Sequence, residues 1–167
     1  MTVTHSLDTL EARAGTPDER VFGEIHGRTD VSVSFAPGYY EQASDAALEE
    51  QFTRLARVLF AQRMKAYFRI RSEDFGETVT RESPPSSERD QRFVEERSRI
   101  TATGTSPDGR ITCSVVGMAH WTIRIQPGTH RELSEDAFCR SFAAAAGAMI
   151  ADQFAQVRRV KDAVYDV

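Results

Sequence analysis

Ser106-Pro107-Asp108-Gly109-Arg110 falls 90 residues after Thr16-Pro17-Asp18-Glu19-Arg20, and the reading of that pair decides the fold. At the same offset Gly27 meets Gly117, Pro37-Gly38 meets Pro127-Gly128, Ser44 meets Ser134, Phe52 meets Phe142, Ala56 meets Ala146 and Arg69 meets Arg159. No gap is needed between Thr16 and Arg69. The matches are turn residues and helix-core residues, the two kinds that set an element order. Self-similarity at one fixed offset marks a supersecondary unit used more than once.

In the second copy, Arg110 to Val116 alternates towards Ile111, Cys113 and Val115, Gly117 turns the chain, and Trp121, Ile123 and Ile125 alternate again before Pro127-Gly128. Period-two alternation between Gly and Pro punctuation predicts antiparallel strands joined by tight turns. Arg99 to Thr105 is a β-prone stretch ahead of them. The first copy predicts a strand over Val21 to His26, a turn at Gly27, and a strand through Val31, Val33 and Phe35, with a weaker strand within Leu7 to Ala14. After each Pro-Gly, Ser44 or Ser134 reads as a helix N-cap. Asp45 and Glu49, or Glu135 and Asp136, supply acids in the first turn, where the helix dipole favours them. One face of the first helix carries Leu48, Phe52, Leu55, Ala56, Leu59, Ala66 and Ile70; the second carries Phe138, Phe142, Ala145, Ala146, Met149, Ile150 and Val157. Runs of about 25 to 28 residues predict helices near 40 Å long.

The expected fold is α+β: two β-β-β-α repeats, residues 1–75 and 99–167, forming a pseudo-dimer with antiparallel sheet or sheets and two long helices. A half of about 80 residues buries only a thin core alone, so the halves are expected to share one. Residues 76–98 read as a linker, with turn chemistry at Pro84-Pro85-Ser86-Ser87 and a possible short helix over Ser87 to Arg97.

The chain has 167 residues, 40% of them hydrophobic, and no apolar run approaches the roughly 20 residues of a membrane span. No signal-peptide pattern occupies Met1 to Gly15, which predicts a cytoplasmic protein. Cys113 and Cys139 lie in different kinds of element without metal or redox spacing, and are expected to be buried free thiols. The formal net charge of −4 argues against a generic phosphate-binding surface, although local clustering overrides a total.

The order of these elements resembles the YbaB/EbfC family. The resemblance is carried by Thr103-Gly104-Thr105-Ser106-Pro107-Asp108-Gly109-Arg110-Ile111, by Val116-Gly117, by the strand to Ile125 ending at Pro127, and by Phe142-Ala143-Ala144-Ala145-Ala146. It spans roughly Arg99 to Val164, and more faintly Leu10 to Phe75. It implies a small nucleoid-associated protein that binds DNA as a homodimer, without cofactor or catalysis, here fused into one polypeptide. The chain departs from the family in lacking a long charged helix before the first repeat and in its acidic balance.

Residues 51–72 contain Arg54, Arg57, Arg63, Lys65, Arg69 and Arg71 and no acid. At about 100° per residue, all but Arg63 fall within an arc of roughly 160°. Arg54, Arg57, Lys65, Arg69 and Arg71 are therefore the candidate nucleic-acid-binding residues, suited to phosphates without reading sequence. Val58, Met64 and Phe68 project into the same stripe, which also suits a protein partner. Tyr39 and Tyr40 join Met64 and Phe68 in that alternative, or else cap the end of the core. A plain solvated helix face is the third reading.

His5, His26, His120 and His130 share no metal-ligand spacing. Neither a Gly-rich phosphate loop nor a G-x-S-x-G elbow is present. The one catalytic arrangement worth naming pairs His120 with Glu24 or Asp30, and the expectation is a non-enzymatic protein. Trp121, on an alternating strand, is expected in the core.

Overall fold

The computed structural model describes residues 7–76 and 78–166. Three antiparallel strands, β1 (Glu11–Gly15), β2 (Val21–His26) and β3 (Asp30–Phe35), are followed by a single helical turn, α1 (Tyr39–Gln42), and a long helix, α2 (Asp45–Phe75). A connecting helix, α3 (Glu88–Ser98), leads to β4 (Thr101–Thr105), β5 (Ile111–Val116) and β6 (His120–Ile125), then α4 (Thr129–Glu132) and α5 (Glu135–Tyr165). The strands form two sheets, ordered β1-β2-β3 and β4-β5-β6. Every bound in the first set recurs 90 residues later in the second.

Local chemistry explains the punctuation. The Thr16 hydroxyl donates to Asp18 Oδ1 at 2.7 Å and accepts from the Val21 N–H at 3.2 Å, holding the β1–β2 turn. Ser106 repeats both bonds with Asp108, at 2.5 Å, and Ile111, at 3.0 Å. Ser44 and Ser134 cap their helices as expected, accepting from the N–H groups of Ala47 and Ala137. Two expectations need correcting. The long helices run 31 residues each, about 46 Å, because no breaker stops them before the left-handed residues Gly76 and Asp166. Each Pro-Gly is also followed by a helical turn, since Gly38 and Gly128 adopt φ of 79° and 92° and redirect the chain into α1 and α4.

The two sheets share one core. Ala12, Val21, Ile25, Leu48, Phe52 and Leu55 from the first half join Ile111, Val115, Ile123, Phe138, Phe142 and Met149 from the second in a single cluster. The helices exchange partners: α2 packs on β1 and β2 and reaches β6 of the other sheet, while α5 packs on β4 and β5 and reaches β3. Asp45 accepts the N–H groups of Gly128 and His130, both at 2.9 Å, and Glu49 accepts that of Ile125 at 2.9 Å. Glu49 thereby fastens β6, and Asp45 in the first turn of α2 fastens the turn that follows it. Trp121 is half-buried rather than fully core, its ring 5.7 Å from that of Phe60 on α2. Both cysteines are free; Cys113 is buried, but Cys139, near the start of α5, is only half-buried.

Candidate nucleic-acid interface

The packing of α2 sorts its cations. Leu48, Phe52, Leu55, Leu59 and Ala66 face the core, so the residues opposite face solvent. Arg54, Arg57, Lys65 and Arg69 are all exposed, on one side of the helix. Arg54 forms an i,i+4 ion pair with Glu50 at 2.5 Å. Arg57, Lys65 and Arg69 make no ion pair among the described residues.

Arg63, which falls outside the arc, is buried, 9% exposed. Its guanidinium donates to the carbonyls of Arg28 at 3.0 Å and Gly27 at 3.4 Å. With Arg28 it also lies against the Phe154 ring of α5, the two guanidiniums 5.6 and 5.4 Å from its centre. This arginine holds the β2–β3 turn and the other half's helix, and burial lowers its pKa. Arg71 differs from the other candidates in being half-buried: it leans on the Tyr67 ring, and its Nη1 donates to the Tyr67 hydroxyl at 3.0 Å.

Met64 and Phe68 are half-buried beside the exposed cations, Phe68 edge-on to Tyr67 at 5.3 Å. Tyr39 is half-buried beneath the Arg20 guanidinium, 5.3 Å from its ring centre. Tyr40 must be corrected. It is 5% exposed and its hydroxyl donates to the carbonyls of Leu133 at 2.7 Å and His130 at 3.2 Å, so it closes the core between the halves and offers no surface to a partner. Burial, with Cys139 and Asp45 adding to it, pushes its phenol up to about 12.

His120 forms no hydrogen bond with Glu24 or Asp30 among the described residues. Glu24 is instead met by His26: the two share one strand two residues apart, with Nε2 to Oε2 at 2.9 Å, and Glu11 reaches Nδ1 across from β1 at 3.3 Å. Arg13 completes the group, its Nε 3.3 Å from Glu24. The hydrogen bond to Glu24, then that to Glu11, raises the His26 pKa, and the bond to His26 lowers that of Glu24. The signal for this cluster lay in the alternation, which puts Glu11, Arg13, Glu24 and His26 on the polar positions of paired strands.

Among the described residues no group of three or more His, Cys, Asp or Glu side chains is placed to hold a metal ion, and no helix is long and apolar enough to cross a membrane. The chain matches no protein-family model, and no curated protein is significantly similar to it in sequence.

Proposed function

We propose that this chain is a non-enzymatic, cofactor-free, YbaB/EbfC-like protein of the cytoplasmic nucleoid, a duplicated unit folded as a pseudo-dimer that coats duplex DNA through α2. The duplication is supported by element bounds that coincide after a shift of 90 residues. The pseudo-dimer is supported by equivalent positions that touch: Phe52 stacks on Phe142 at 4.0 Å, and the Tyr40 and His130 rings lie 4.7 Å apart. Like positions meet in this way only beside a two-fold axis.

The observation that carries the DNA reading is the exposed trio Arg57, Lys65 and Arg69, unneutralised by neighbouring acids. They stand about 12 and 6 Å apart along the helix. Contacts of this kind neutralise phosphates and read no sequence. α5 carries Gly147, Ala155 and Arg159 at the matching places, so the stripe belongs to the first half alone. The test is a gel shift with random duplex. Retardation at low salt should fall steeply as salt rises, and changing Arg57, Lys65 and Arg69 together to Ser should flatten the logarithmic salt slope by roughly two to three units. No retardation of the wild type at low salt overturns the reading.

The half-exposed Met64 and Phe68 beside this stripe support a second reading, an interaction module that uses the same face for a protein partner. A nuclease-insensitive partner lost on Phe68→Ala with Met64→Ala, the fold intact, would favour it over DNA.

A further inference from the structure

The edge strands β1 and β4 are finished differently. Bonds from Gly27 to Leu10 and from Thr16 to Val21 fix the phase of the β1–β2 ladder, so the N–H and C=O groups of Glu11, Arg13 and Gly15 point away from β2. In β4 the matching groups point outward too, and α5 satisfies two of them. Asp152 Oδ2 accepts from the Thr103 N–H at 2.9 Å, and Gln156 Nε2 donates to the Thr101 carbonyl at 2.8 Å. At the matching places α2 carries Gln62 and Ala66. Neither makes a hydrogen bond to β1 among the described residues, so the outer edge of β1 receives no hydrogen bond from these two helix positions. An edge with unpaired backbone groups is a template for another strand.

We propose that β1 pairs antiparallel with β1 of a second copy of this chain, centred on Ala12, to make one continuous six-stranded sheet across a two-fold axis. Charge fixes both the occupant and the register. Outward-pointing backbone groups must meet outward-pointing ones, so odd-numbered residues face odd-numbered ones and form the hydrogen-bonded pairs. A centre at Glu11 sets Glu11 against Glu11, a centre at Arg13 sets Arg13 against Arg13, and a centre at Ala14 leaves Arg13 opposite the uncharged Gly15. A centre at Ala12 sets each Glu11 opposite the other copy's Arg13, both on the solvent face. The segment Glu11-Ala12-Arg13 is thus complementary to itself when reversed. The contact is isologous and closes after two copies. It uses β1 alone, and so stands or falls apart from the DNA reading.

The test is sedimentation equilibrium of the full chain across the micromolar range. The wild type should reach a dimer and no higher. Glu11→Arg and Arg13→Glu each reverse two cross-strand pairs at once, and each should weaken association by about tenfold. The charge swap Glu11→Arg with Arg13→Glu restores opposite charges across the two-fold. Made and compared in a Glu24→Gln, His26→Gln background, which removes the partners of both residues within the sheet, its association should return to within about threefold of that background. Should one single variant fail to fold, the other single and the swap carry the comparison. A wild type that stays monomeric, a dimer untouched by the single changes, or a swap that does not recover overturns the proposal.

Discussion

Phe52 of α2 and Phe142 of α5 stack face to face, 4.0 Å between ring centres and 27° between planes. Phe52 is fully buried and Phe142 is 5% exposed, and Phe35 and Phe138 pack around Phe52 at 5.7 Å each. This aromatic cluster draws on β3 and both long helices, and so on both halves of the chain, and neither half can lose its part without exposing the other's.

Replacing Phe142 with Ala should therefore destabilise the whole chain by about 3–5 kcal/mol, the usual cost of emptying a large aromatic site. Denaturant unfolding should remain one transition, with the fluorescence of Trp121, which reports the contact with Phe60, coincident with far-UV circular dichroism. Two separated transitions would mean that the halves do not share a core.

Gly104 is where β4 and α5 come closest. A Cβ there would stand 2.2 Å from both the Ala145 carbonyl oxygen and the Met149 nitrogen, backbone atoms that cannot swing aside. Gly104→Ala should cost at least about 2 kcal/mol. The matching position on β1 already holds a side chain, Ala14, and Ala14→Gly should cost only about 0.5–1 kcal/mol through added chain freedom. Urea midpoints of the two variants would reveal this difference, and equal losses would place the helix further from β4.

His26 should titrate above the ordinary imidazole range, because Glu24 and Glu11 hold its proton. The contribution of His26 to stability is fully present below its unfolded pKa of about 6.5 and is lost as pH rises through the raised folded value. Glu24 acts in the opposite sense: its contribution is present above the ordinary carboxylate value and is lost as pH falls through the lowered one. The pair is therefore most effective between those limits. Proton NMR should show the His26 resonance titrating lower in Glu24→Gln, and lower again when Glu11→Gln is added. Unchanged titration in both would separate His26 from its carboxylates.

The strands, their turns, both Ser N-caps and the two long helices were legible in the sequence because each depends on local rules, whereas the helical turns α1 and α4 were not read from it. Strand alternation repeats every two residues, helix faces recur near 3.6, and Ser, Gly and Pro punctuate by their own backbone chemistry. Residues 90 places apart could be read against each other, and β2 falls at Val21–His26, where the alternation placed it. The division of the cations on α2 was also readable in part, since angle alone set Arg63 apart from Arg54, Arg57, Lys65 and Arg69.

Only the tertiary structure decided what those elements meet. No periodicity shows that Asp45 and Glu49, well placed for their own helix, also bind the backbone of β6 and its following turn. Nor does it show that Tyr40 faces His130 inside the core instead of solvent, or that His26 takes Glu24 from His120. Residues 33 or 90 places apart carry no local signal of contact; Asp18 and Gln51, and Tyr40 and His130, are joined by the packing of helices on sheets. Local propensity sets which segments exist, and burial of their apolar faces sets which of them touch.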